Sequence, residues 1–208
     1  MPEPTDIMLL FCCRLQFLHP SVISGCDRMS RRFESEQWVP APLERVFAFF
    51  ADPHNLPRIM PPALGTRLVK LSLVPPRFPA GQVPPGTLRM AGAGTEMTVA
   101  VRVIPYFPVH ERWVVRITEF SLNQYFHDVQ KQGPFRLWEH THSFEPGAVG
   151  GQEGTLIRDE VDYEIGFGIV GRVLENTLFQ RIFRSTFEYR RRAIGEIFPA
   201  SAVVTVGS

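Results

Sequence analysis

Two hydrophobic periods run through this chain, and the order in which they occur predicts its architecture. Phe33 to Val39 reads as a first strand, and Pro40-Ala41-Pro42 then turns the chain into a helix over Leu43 to Ala51. Leu43, Val46, Phe47 and Phe50 recur at helical spacing there, which predicts a stripe packed on a core. Asp52 can cap a second helix with Pro53 as its first residue. Pro57 and the Pro61-Pro62 pair restrict that helix to Pro53 to Ile59. Period-two strands follow over Thr66 to Leu73, Glu96 to Ile104, Val109 to Glu119, Leu122 to Gln130, Phe135 to Phe144 and Thr155 to Phe167. In the second of these, Met97, Val99, Val101 and Val103 oppose Thr98, Ala100 and Arg102. The last pattern is helical again, from Ile169 to Phe198, with Val170, Val173, Leu174, Thr177, Leu178, Ile182 and Phe183 on one face. A meander followed by one long amphipathic helix predicts an α+β fold in which a curved antiparallel sheet grips the helix and leaves a cavity between them.

The segments between these elements carry weaker signals. Val74 to Thr95 is too rich in Pro and Gly, and too long, for a hairpin turn; it reads as a surface loop, with a mobile flap as the functional alternative. Gly166-Phe167-Gly168 with Gly171 reads as the bend from the last strand into the long helix. Arg190-Arg191-Arg192 reads as a solvated helix end, where cations suit the dipole. Residues 1–32 are expected to be an extension outside the fold, 33–198 the domain, and 199–208 a disordered tail. Within the extension, Ile7 to Leu18 is interrupted by Arg14 and Gln16 and is too short to span a bilayer. The acidic residues ahead of it argue against a signal peptide, and Met29 offers an alternative start. An extra surface helix is the rival reading of that segment.

One strand carries the candidate chemistry. In Trp138-Glu139-His140-Thr141-His142-Ser143-Phe144, period two puts Trp138, His140, His142 and Phe144 on one face and Glu139, Thr141 and Ser143 on the other. Aromatic rings mixed with imidazoles suggest the wall of a mostly apolar pocket with a few polar handles. Three readings of the histidine pair stand side by side. A metal site would need a third ligand such as Asp128 or Asp159. General acid/base chemistry would use Asp128 to orient His140; a three-residue turn after Lys131 would set Asp128 opposite Trp138, diagonal to His140. A satisfied polar network would join both histidines to Asp128, Asp159 and Tyr163. The last is the plainest, and no metal or cofactor is expected.

Composition narrows the class. The chain has 208 residues, 44% hydrophobic, enough for one well-buried domain. With 22 basic and 21 acidic residues the net charge is +1, so no global field points to nucleic acid or an anionic membrane. Cys12, Cys13 and Cys26 match neither a zinc motif nor a disulfide framework, which suits a reducing cytoplasm. No phosphate loop, nucleophile elbow or dinucleotide fingerprint is present.

Several motifs together carry a family resemblance: Asp52-Pro53-His54-Asn55-Leu56 with Ile59, Pro61 and Pro62, then Phe126-His127-Asp128-Val129-Gln130, Gly133-Pro134-Phe135, the Trp138 to Phe144 run, and Asp159, Val161 and Tyr163. The chain from Phe33 to Phe198 resembles the START-like helix-grip superfamily, and more narrowly its polyketide cyclase/dehydrase and coenzyme Q-binding branch, including the domain called cell-division-inhibitor-like. The resemblance implies a seven-stranded antiparallel sheet around a C-terminal helix with a lipophilic pocket between them. The expected function is binding of a hydrophobic or aromatic small molecule: a lipid, quinone or polyketide-like compound. Phe126, Trp138, Phe144 and Tyr163 would form the wall, His140, His142 and Asp128 the polar contacts, and Leu174, Leu178 and Ile182 the helix side. The alternatives are a cyclase, aromatase or dehydratase using His140 or His142 as acid/base, and an accessory domain that binds a protein partner.

Overall fold

In the computed structural model, residues 30–78, 87–102, 109–165 and 180–199 are described. Seven antiparallel strands form one sheet in the order β1-β7-β6-β5-β4-β3-β2. They are β1 (Arg31–Val39), β2 (Arg67–Ser72), β3 (Glu96–Val101), β4 (Glu111–Ser121), β5 (Tyr125–Gln132), β6 (Phe135–Val149) and β7 (Gln152–Ile165). β2 to β7 is a meander, and β1 closes it by pairing with β7. The connection from β1 to β2 therefore spans the sheet, and it does so through α1 (Leu43–Ala51) and two 3-10 helices, Pro53–Ile59 and Pro62–Leu64. The C-terminal helix is described over Gln180–Ile197, here α2. This is the α+β helix-grip arrangement that the pattern predicts.

Local chemistry explains the element boundaries. Asp52 accepts the His54 N–H at 3.0 Å with Pro53 next, so the 3-10 helix starts where an Asp-Pro pair favours it. Asn123 has φ 57, and the Gln124 N–H donates to the Ser121 carbonyl at 3.1 Å. That turn delays β5 to Tyr125, three residues later than Leu122, where alternation alone begins it. β6 and β7 run past the expected Phe144 and Thr155 limits to a two-residue hairpin at Gly150-Gly151, φ 61 and 80. Positive φ at both central residues is the turn that matches strand twist, and glycine reaches it without strain. β1 starts at Arg31, before the expected domain boundary of 33, because Arg32 clasps Asp162 of β7 with bonds of 2.9 and 2.7 Å.

The core has two parts on one face of the sheet. Val46 and Phe47 of α1 are fully buried, with Phe47 set edge-on to Phe120, Phe126 and Phe144. At the other end Phe183 and Phe187 of α2 pack with Phe33, Trp138 and Tyr163. Among the described residues no helix is long and apolar enough to cross a membrane. The expectations for Cys12, Cys13 and Cys26, for residues 1–28, for the glycines around Phe167 and for the first half of the long helix, including Leu174 and Leu178, lie outside the described residues. The base of the Val74 to Thr95 segment is described and is anchored: Val74 N–H donates to Thr95 Oγ1 at 3.0 Å, and Gly94 N–H to the Ile117 carbonyl at 2.8 Å.

Candidate functional site

Between the sheet, α1, the 3-10 helices and α2 lies a cavity of about 190 Å³. Its walls are largely apolar: Phe49, Phe50, Leu56, Ile59 and Met60 from the first connection, Met97, Val99, Val101, Val115 and Ile117 from the middle strands, and Ile182, Phe183 and Phe187 from α2. Of the residues that the sequence singles out, Phe126, Asp128, Trp138, His140, His142 and Ile182 line it. Phe144 and Tyr163 are buried at 3% and 4% exposure but pack into the two core clusters rather than bordering the space.

Strand register assembles the polar group. Period two turns Phe126 and Asp128 of β5, Trp138, His140, His142 and Phe144 of β6, and Ile157, Asp159, Val161 and Tyr163 of β7 to the same buried face. Asp128 pairs with His140 and His142 with Asp159. The expected register, with Asp128 opposite Trp138, is off by two residues: the β5–β6 pairing ends at Val129 and Glu139, and nearer the turn the Gln130 side chain bonds the Phe135 backbone instead. A slip of two keeps the face, so the inward assignment is unaffected.

The contacts are short on one side and long on the other. His140 Nε2 donates to Asp159 Oδ1 at 3.0 Å, and His142 Nδ1 lies 2.6 Å from the same oxygen, too far off line for a good hydrogen bond. Asp128 Oδ2 stands 3.9 Å from His140 Nδ1 and 3.7 Å from His142 Nε2. The two imidazole centroids are 3.8 Å apart. Behind Asp159 sits Arg190, with Nη2 3.7 Å away and the guanidinium 5.0 Å from the centre of the Phe187 ring. All five groups are less than a tenth exposed.

Arg190 corrects the reading of the arginine run as a solvated helix end: Arg191 and Arg192 are exposed, whereas Arg190 is buried. It falls three and seven residues after Phe187 and Phe183, on the face that α2 presents to the sheet. Continuing that face past Phe183 in the sequence would have found it. Arg102 is a second omission. Alternation puts it outward, but it lies one residue beyond β3, where its N–H donates to the Leu64 carbonyl at 2.8 Å instead of a strand, and it borders the cavity.

The electrostatics follow from burial and neighbours. Burial, followed by the charge of His142, pushes His140 down to about 4 despite its two carboxylates. Burial also opposes the charged form of His142, yet the charge of Asp159 and the contacts with Asp128 and Asp159 outweigh it and raise its pKa. Burial would raise Asp128, but His142, His140 and the Trp138 indole hold it below the usual carboxylate range. Asp159 is held well below that range, since the charges of Arg190 and His142 overcome its burial. Five buried side-chain polar atoms lack a hydrogen-bond partner among the described residues: Thr66 Oγ1, Arg102 Nε, Trp113 Nε1, His142 Nδ1 and Arg190 Nε. All five belong to residues that line the cavity. Buried polar atoms are nearly always paired, so this concentration marks where the domain departs from plain core.

The sequence model of a family described as polyketide cyclase/dehydrase and lipid transport matches residues 39–186. The chain belongs to this family. Among solved structures it is similar to the protein TTHA0849 of Thermus thermophilus, at 22% identity and a TM-score of 0.55, over 83% of this chain and all of that one. It is also similar to a START superfamily protein of Mycobacterium smegmatis, at 15% identity and a TM-score of 0.55, over 80% of this chain and 96% of that one. A norcoclaurine synthase point mutant from Thalictrum, solved with a transition-state analogue, matches at 13% identity and a TM-score of 0.51, over 83% and 99%. At these identities the likeness is one of fold. No curated protein matches in sequence. Membership in the polyketide cyclase/dehydrase and lipid transport family rests on the sequence model, and the solved structures share the fold.

Proposed function

We propose that this family member holds one hydrophobic or aromatic small molecule in the cavity between sheet and helix, with Asp128, His140 and His142 at its polar end. The observation that carries this reading is the apolar cavity of about 190 Å³ with one buried polar group in its wall. An apolar cavity of about 150 Å³ is enough to admit benzene, so the volume suits a single ring or the end of a quinone, lipid or polyketide-like chain. Phe126, Trp138 and Ile182 supply apolar wall, and the cysteine usage supports a reducing cytoplasm as the setting. A filled core would have favoured the protein-partner alternative, and the cavity weighs against it.

The test is to shrink the space. Val99, 3% exposed on β3, borders the cavity, and Val99→Phe puts a ring into it. The variant is expected to keep its circular dichroism and to bind a fluorescent apolar probe at least about tenfold more weakly, a loss of about 1.4 kcal/mol. Unchanged probe affinity in a folded variant would overturn the reading.

A second reading is turnover, with His140 or His142 as acid/base. It is favoured by two imidazoles 3.8 Å apart in the wall of the same cavity. It predicts that His140→Ala abolishes conversion of a bound cyclisable substrate while leaving its affinity largely intact. Parallel loss of both would return the histidines to a binding role.

A further inference from the structure

From the geometry of Asp128, His140 and His142 we infer a binding site for one divalent transition-metal ion, of the zinc, iron(II) or cobalt(II) class, in the wall of the cavity. One ligand atom from each of these three buried residues lies within 4.8 Å of the other two. They are also arranged the right way round. Asp159, as a carboxylate, can only accept, so His140 must donate to it through Nε2. In a neutral imidazole that leaves Nδ1 as a lone pair, and Nδ1 is the atom that faces the Asp128 carboxylate at 3.9 Å. His142 also turns one nitrogen to each carboxylate: Nε2 faces Asp128 at 3.7 Å, and Nδ1 lies 2.6 Å from Asp159 but off line. One nitrogen of each ring and the Asp128 carboxylate therefore converge on one point, where a metal cation can take the place of the proton that His142 holds towards Asp128.

The surroundings match what a metal needs beyond its ligands. Metal-binding histidines usually give their other nitrogen to a carboxylate that fixes tautomer and ring orientation. Here Asp159 does so for His140 and stands beside the second nitrogen of His142, with Arg190 behind it at 3.7 Å. Ligand atoms on a tetrahedral ion with bonds of about 2.0–2.2 Å lie about 3.3 Å apart, so the Asp128 contacts would tighten by about half an ångström. Asp128 and His140 are register partners on adjacent strands, so side-chain rotation can supply that movement. Two imidazoles and one carboxylate leave a tetrahedral or five-coordinate ion with an open side, and the three residues border the cavity, so that side faces it. A bound molecule with an oxygen donor would complete the coordination. That last step depends on the cavity-binding reading; occupancy by the metal does not.

The experiment is cobalt(II) titration of the full chain after dialysis against a chelator, followed by visible absorption and elemental analysis. The expected result is one cobalt per chain with the intense visible bands of a four- or five-coordinate ion. Zinc should displace it, His140→Gln should abolish it, and Asp159→Asn should weaken it about 10–100-fold. His54→Gln, at an exposed site outside this group, should leave it unchanged. Should His140→Gln fail to fold, Asp128→Asn replaces it with a side chain of the same shape, and the wild-type spectrum decides on its own. A pale octahedral spectrum, less than one cobalt per chain, or binding that survives His140→Gln or Asp128→Asn would overturn the inference. Metal bound with no apolar-probe binding would leave the site standing and remove only its link to the cavity ligand.

Discussion

Replacing Arg190 with Met is expected to destabilise the folded domain by about 3–5 kcal/mol, the usual cost of removing one partner from a buried ion pair. Arg190 is 7% exposed, and its guanidinium faces the Asp159 carboxylate across 3.7 Å. Met keeps most of the stem that lies over Phe187, so the loss isolates the charge rather than the packing. Asp159 would then have only His142 as a charged partner and His140 as a neutral donor, with a second buried carboxylate, Asp128, on their far side. Urea unfolding measures the change directly. Adding Asp159→Asn to Arg190→Met should recover part of it, since the uncompensated charge is gone. A loss below about 1 kcal/mol would mean that Arg190 behaves as an exposed helix-end cation would.

Phe47→Ala should cost a comparable amount, about 3–5 kcal/mol, by a different route. Phe47 is fully buried and touches Phe120, Phe126 and Phe144 edge-on with centroids 5.4, 6.1 and 5.2 Å away. Alanine would leave a hole among three rings carried by β4, β5 and β6, none of which can follow without disturbing the sheet. Phe126 lines the cavity, so the variant should also loosen the probe site. The same unfolding experiment checks it, and a change under about 1.5 kcal/mol would show that α1 is not the anchor of this core.

How legible this was in the sequence differs from element to element. The face shared by Trp138, His140, His142 and Phe144 needed only the strand period, and all four side chains are buried together. The proline punctuation of the first connection likewise set its helices, because Pro53, Pro57 and Pro61 constrain the backbone by themselves. Register was harder. The pairing of Asp128 with His140 depends on how the chain turns at Gly133-Pro134, which periodicity does not report. The hairpin at Gly150-Gly151 was obscured by Pro146 and Gly147, turn signals that the β6–β7 pairing overrides. Arg190 was hidden by its own company, since two exposed arginines follow it and a charge run reads as solvated. Its buried position appears only when the Phe183-Phe187 face is carried one turn further. Asp159 was visible as a candidate partner of the histidines, but its bond to His140 and its place beside His142 are matters of tertiary geometry.

The most direct test of the central claim is native mass spectrometry of the purified full chain beside Val99→Phe, each offered a panel of quinones, fatty acids and aromatic polyketide-like compounds. One apolar molecule bound per wild-type chain, recovered by denaturing extraction and absent or much reduced in Val99→Phe, is the predicted result. A wild-type chain that remains at its bare mass across the whole panel, or an adduct held equally by both proteins, would contradict it.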